Sequence, residues 1–193
     1  MKVIVWDIDD VLNDLMNEWL VHAISSGEVR RSISYNNITS NPPHKILSMS
    51  LSDYHKSLDG FRKSEKAFNM KPTPEIFKWF QDKGENFCHI AVTARPISTA
   101  PQAAGWLFSH FGKWFRSFHF VPSQRDDEIS PSYHVSKGEL ISKIDNVSYF
   151  IDDSEENIET VLDKNIKRLL FPRPWNKSPY SVSEILSILG SGT

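Results

Sequence analysis

At 193 residues, with 39% hydrophobic and 12% aromatic side chains, the chain can bury a substantial core as one domain, or one domain with a small insertion. Its 22 basic and 24 acidic residues leave a formal charge of -2, which gives no footprint for duplex nucleic acid or an anionic membrane surface. No apolar run approaches the roughly 18 residues of a membrane span, Asp7, Asp9 and Asp10 interrupt any secretory apolar segment, and the single cysteine, Cys88, has no internal disulfide partner, so a cytoplasmic location is expected.

The chain opens on Val3-Ile4-Val5-Trp6, a buried strand expected over 2–6. It runs into Asp7-Ile8-Asp9-Asp10. Three carboxylates at one strand end repel each other, and burial raises that cost. A cation among them relieves it, and magnesium suits oxygen ligands of this kind. The alternative is an acidic loop that caps a helix. About 80 residues then separate Asp10 from Cys88, far more than an ordinary crossover. This stretch holds a helix over 15–25, a polar segment over 32–43 and helical pieces over 45–63. It carries Trp19, His22, Tyr35, Asn36, Asn37, His44, Tyr54 and His55. Such rings either stack on a base or sugar or form the insertion's own small core.

A helix over 73–83 follows, apolar at Ile76, Phe77, Trp79 and Phe80 and stopped by Gly84. The strand over 88–92 starts at Cys88, expected as a small core residue, and ends in Thr93-Ala94-Arg95-Pro96. A helix over 101–111 and a strand over 117–121 come next. Ser136-Lys137-Gly138-Glu139-Leu140-Ile141 opens a helix over 137–144 with a lysine in its first turn. The strand over 147–151 ends in Asp152-Asp153-Ser154, and a helix over 155–162 and a strand over 166–171 follow. Strands alternating with helices predict an α/β fold: a Rossmann-like three-layer sandwich around a parallel sheet. The core comprises 1–12 and 72–193, and the insertion spans 13–71. Ligands bind beyond the carboxyl ends of such strands, where all these polar motifs lie.

Asp-x-Asp at Asp7 and Asp9, then Thr93, Lys137 and Asp152-Asp153, resemble in type and order the four signature motifs of the haloacid dehalogenase (HAD) superfamily of phosphohydrolases. The resemblance implies a magnesium-dependent phosphatase in which the insertion is a helical cap over the site. It makes Asp7 the nucleophile that forms an aspartyl-phosphate. Asp9 would protonate the leaving alcohol and then activate water, so its pKa is expected above that of Asp7. Asp7, the main-chain carbonyl of Asp9, and Asp153 or Asp152 would hold magnesium. Thr93 and the N–H of Ala94 would bind phosphoryl oxygens, and Lys137 would neutralise phosphoryl charge, with Lys143 as its rival.

Asp10 stands where many relatives have Gly. Arg95 and Arg173 follow strand ends; each either meets a second substrate charge or is held by the protein itself. Trp175 is expected to pack rather than to stack on substrate. A dehalogenase lacks the second Asp, and a phospho-receiver domain carries its acidic pair first, so phosphatase is the favoured chemistry. Val92-Thr93-Ala94-Arg95-Pro96 and Phe150-Ile151-Asp152-Asp153-Ser154-Glu155-Glu156-Asn157, with Phe171-Pro172-Arg173-Pro174-Trp175-Asn176, also resemble bacterial 5′(3′)-deoxyribonucleotidases. The expected partner is therefore a small phosphorylated molecule, a nucleoside monophosphate first. A sugar phosphate or other metabolite, or a non-catalytic binding role, is the alternative.

Overall fold

All four residues of β1 (Val3–Trp6) are buried in the computed structural model, which describes residues 1–123, 125 and 136–191. The reason is position. Strands β2 (Cys88–Thr93), β3 (Phe115–Phe120), β4 (Val147–Asp152) and β5 (Lys167–Leu170) join β1 in one sheet of order β3-β2-β1-β4-β5, and every pairing is parallel. β1 is therefore covered on both faces and both edges, which requires an unbroken apolar run. The chain builds outward from β1 through β2 to β3, then returns to place β4 on the other side. The crevice beyond the ends of β1 and β4 is thus the topological switch point of the sheet.

The helices, in chain order, are α1 (Leu15–Ser25), α2 (Leu51–Arg62), α3 (Glu65–Phe68), α4 (Pro74–Lys83), α5 (Ala100–Phe111), α6 (Lys137–Ile141), α7 (Glu155–Glu159) and α8 (Val182–Gly190). Alternate residues of β1 serve the two faces. Ile4 and Trp6 pack with Ile76, Phe80, Leu107, Phe111 and Ile185 of α4, α5 and α8. Val3 and Val5 pack with Leu140 and Ile141 of α6 and with Val161. The result is the expected three-layer α/β sandwich.

The insertion has its own hydrophobic cluster, which includes Leu15, Trp19, Leu47, Tyr54, Leu58, Phe61 and Met70. Trp19 and Tyr54 meet edge to face at 5.1 Å. Its two ends are joined at the base. The Thr73 N–H donates to the Leu12 carbonyl (2.8 Å), the Thr73 hydroxyl to the Val11 carbonyl (3.0 Å), and Asn13 bridges Pro72.

Several expectations need correction. Cys88 is exposed rather than in the core, because the first residue of β2 lies at the open N-terminal end of the sheet, with its thiol 3.7 Å from the Met1 sulfur. The helical region before Lys63 starts only at Leu51, where the Ser50 side chain accepts from the Asp53 N–H. α8 is an element the sequence reading lacks. Its start carries a Ser181–Glu184 capping box, a signal present in the sequence. Among the described residues, no helix is long and apolar enough to cross a membrane.

Candidate active site

β1 and β4 end side by side, and their register puts their acidic ends together. Trp6 pairs with Ile151, and the Asp7 N–H donates to the Ile151 carbonyl at 2.9 Å. Asp7, Asp152 and Asp153 are all buried, and each offers an oxygen within 4.8 Å of the others. Lys137, at the start of α6, reaches this group with only 2% of its surface exposed. Its ammonium lies 2.7 Å from Asp7 Oδ1 and 2.7 Å from Asp152 Oδ2. Lys143, its rival, is half-exposed and pairs with Glu139 one turn away.

Two features aim Lys137 inward. Ser136 caps α6 by accepting from the Glu139 N–H. Gly138 lets α6 approach Thr160, for a Cβ there would sit 2.0 Å from the Thr160 carbonyl oxygen.

Burial pushes Asp7 well above the ordinary carboxylate range. Lys137 opposes this, and Asp152, Asp153 and Asp9 add to it. Burial, with Asp152 and Asp10 nearby, lifts Asp153 to about 8. Burial alone would lower the Lys137 pKa, but Asp152 and Asp7 outweigh it and hold the ammonium above its usual range. Three acids around one ammonium are short of positive charge. A divalent cation with hard oxygen ligands fits that deficit, as magnesium does.

The pair Asp152-Asp153 divides its contacts. Asp152 Oδ2 accepts from Lys137, while Oδ1 accepts from the Ser154 N–H (2.9 Å) and the Asn157 amide (3.0 Å). Asp153 Oδ2 accepts from the Trp175 indole N–H at 2.8 Å.

Asp9 is the largest departure from expectation. Its carboxylate lies outside the Asp7–Asp152–Asp153 group and is gripped by two arginines. Arg95 Nε donates to Oδ2 at 2.7 Å, and Arg95 Nη2 contacts Oδ1. Arg62, from α2 of the insertion, donates to Oδ2 at 2.9 Å. Arg62 also holds Asp59 (2.8 Å), which Arg125 contacts in turn (3.0 Å). Burial would raise the Asp9 pKa, but Arg95 and Arg62 outweigh it and bring it to about 2. The expected order, Asp9 above Asp7, is therefore reversed. The cause is the pair of guanidinium groups beside Asp9, set against the crowd of carboxylates beside Asp7.

Asp10 has φ 60, the left-handed region that glycine enters freely and Asp tolerates better than most residues. Its Oδ1 accepts from the Met16 N–H (2.9 Å), and Asn13 Oδ1 accepts from the Leu15 N–H (3.2 Å), so these two residues satisfy the first turn of α1. Arg173 sits in an ordered loop. It donates to the carbonyls of Asp10 (2.6 Å) and Asn13 (3.1 Å), and to Asp14 (2.9 Å) and the Tyr35 hydroxyl (3.2 Å). Thr93 is buried at the end of β2, where its hydroxyl accepts from the Arg95 N–H at 3.2 Å, and Ala94 is exposed to the cleft.

The cleft between core and insertion has a volume of about 660 Å³. Asp9, Lys137 and Asp153 line its floor, and Tyr54, His55 and Arg62 line its roof. The sequence reading missed Arg62, Asp59, Arg125, Asn157 and the Trp175–Asp153 contact. The i, i+3 spacing of Asp59 and Arg62 was visible on one helix, but nothing in it pointed to Asp9.

By sequence, the chain matches no family model and no curated protein. By structure it is similar to a protein from Clostridium acetobutylicum described as a predicted phosphatase, with a TM-score of 0.61, 15% identity and 98% of each chain covered. A HAD-superfamily hydrolase of subfamily IA from Geobacter sulfurreducens aligns with a TM-score of 0.58 at 16% identity, covering 98% of this chain and 97% of that one. A HAD-hydrolase from Bacillus subtilis, described as bound to magnesium, aligns with a TM-score of 0.57 at 13% identity over 98% of each chain. At these identities the likeness is one of fold. The chain has the α/β fold of HAD-type hydrolases.

Proposed function

We propose that this protein is a HAD-type phosphomonoester hydrolase that requires magnesium and forms an aspartyl-phosphate on Asp7. The observation that carries this reading is the buried convergence of Asp7, Asp152 and Asp153 with Lys137 at the switch point of the sheet. Asp7, Asp153 and the main-chain carbonyl of Asp9 would hold the ion. Asp153 is the better side-chain ligand of its pair, because both oxygens of Asp152 already accept from Lys137, Ser154 and Asn157. When bound, magnesium offsets the charge of the carboxylates and of the phosphoryl oxygens.

Asp7 attacks the phosphorus, and the bond from phosphorus to the leaving oxygen breaks. Asp9 supplies the proton that makes the leaving group an alcohol. It then takes a proton from the water that attacks the aspartyl-phosphate, which releases phosphate and restores Asp7. To carry the first proton, Asp9 must loosen from Arg95 and Arg62; its ionised, arginine-held form is the one suited to the second half. Thr93, the Ala94 N–H and Lys137 stabilise the charge spread over the phosphoryl group.

We assign 13–71 as the cap that selects the leaving group, and a nucleoside monophosphate as the first substrate class to test. The nucleotidase-like flanks of the motifs and a cleft within the ~300–1,000 Å³ of small-molecule sites support it. Trp19 and Tyr54 both belong to the insertion's own core, and of these rings Tyr54, at its margin, and His55 line the cleft. A sugar phosphate is the second class.

A panel of deoxynucleotides and sugar phosphates with added magnesium, read by phosphate release, tests the reaction and the substrate together. Asp7→Asn should abolish turnover in a folded protein. Full activity in that variant would remove Asp7 as nucleophile, and no hydrolysis of any phosphomonoester by the parent protein would favour a binding role.

A further inference from the structure

Of the six tryptophans, Trp175 is the one whose indole N–H, among the described residues, donates to a carboxylate. Trp6, Trp19 and Trp106 donate to His89, Ser57 and the Met70 carbonyl. The carboxylate is that of Asp153, at 2.8 Å. The Trp175 ring is half-buried against the hydrophobic cluster of the insertion and meets Tyr35 edge to face at 6.0 Å. Its neighbour Asn176 donates to the Asp153 main-chain carbonyl at 2.7 Å and to the Phe171 carbonyl at 2.8 Å. The loop over 171–176 therefore fixes both the backbone and the side chain of Asp153, and leans on the insertion while doing so.

We propose that Trp175 is a positioning residue for the metal site, holding the Asp153 carboxylate turned toward Asp7 and Asp152. This inference rests on the magnesium reading above. Its physical basis is electrostatic. Asp153 is packed against two other acids, and without a tether it would rotate away from them. A neutral N–H donor on one oxygen resists that rotation, adds no charge of its own, and leaves the second oxygen for a cation. Partners of this kind, one step removed from the metal, are typically worth 10–100-fold in metal affinity. Packing the indole against the insertion's core supplies rigidity that a fully exposed side chain would lack.

The test is calorimetric titration of Mg²⁺ alone into the full chain. Trp175→Phe keeps an aromatic ring in place and deletes the donor. It should weaken magnesium binding by about 10-fold or more, with its thermal midpoint in chelator close to that of the parent. Tyr35→Phe removes a hydroxyl that faces Arg173 but keeps the ring edge, and should bind magnesium as the parent does. Equal affinity in Trp175→Phe and the parent would overturn the positioning role alone. No magnesium binding by the parent would overturn the metal reading as well.

A second measurement does not depend on the variant folding. In a ¹⁵N-tryptophan-labelled parent, one indole N–H resonance should shift during the magnesium titration and saturate with the calorimetric constant. A titration that moves no indole signal would contradict the proposal.

Discussion

Replacing Lys137 with Met tests the electrostatics of the site without assuming any substrate. The ammonium is 2% exposed and lies 2.7 Å from both Asp7 and Asp152. Met matches its length but leaves those two acids, and Asp153, without a compensating charge. Removing one partner of a buried ion pair costs about 3–5 kcal/mol. The low end is expected here, because Asp7 already has a raised pKa and can relieve the repulsion by taking up a proton. About 3 kcal/mol with a urea slope of ~2 kcal/mol per molar lowers the unfolding midpoint by ~1.5 M.

The pH dependence has a definite sign. The pKa of Asp7 is higher in the folded than in the unfolded chain, so the native state binds the extra proton. That contribution is fully present below the unfolded value of 3.8 and is lost as pH rises through the folded value. Loss of the ammonium raises the folded value further. The gap between parent and variant should therefore narrow as pH falls and widen as it rises. Urea unfolding in chelator across a pH series measures it. A loss below ~1 kcal/mol at neutral pH, or a gap that does not change with pH, would refute the reasoning.

Arg95→Ala should let the Asp9 pKa climb from about 2 toward 3.8, as read by carboxyl NMR titration. The depressed value stabilises the fold above pH 3.8, and that contribution is lost as pH falls through about 2, so acid unfolding of the variant should begin at higher pH. His89 accepts the Trp6 indole N–H at 3.0 Å, and its other ring nitrogen lies 2.8 Å from the Gly84 carbonyl. His89→Leu would strand the buried indole, at a cost of about 1–3 kcal/mol by chemical denaturation. Burial lowers the His89 pKa from 6.5 to about 4, so stability of the parent should fall as pH drops across that interval, and the variant should lack this component. Gly138→Ala forces a methyl to within 2.0 Å of the Thr160 carbonyl oxygen; α6 must shift, with a cost of about 1–3 kcal/mol in thermal unfolding.

The sheet was legible because central parallel strands are mostly apolar: the run beginning at Val3 is unbroken, and those beginning at Cys88 and Val147 are interrupted only by His89 and Ser148 before their polar ends. The acidic and hydroxyl motifs at the ends of those runs, with Lys137 at the start of a helix, marked the candidate site. Cys88 was misread because a strand's first residue can lie beyond the cover of the helices, which an apolar run does not disclose. α8 was missed although its Ser181–Glu184 box was visible. The partners of Asp9 were not legible. Arg62 lies 53 residues away on a helix of the insertion, and its aim depends on how that helix seats against the core. For the same reason the contact from Trp175 to Asp153, 22 residues apart, emerged only with the fold.

The central claim is that Asp7 accepts the phosphoryl group. Acid quenching during turnover of a phosphomonoester with magnesium, followed by peptide mass spectrometry, tests it most directly. Phosphate on the peptide bearing Asp7, at that residue and absent from Asp7→Asn, is the predicted result. Turnover with no phosphorylated aspartate, or with the phosphate on another side chain, would contradict it.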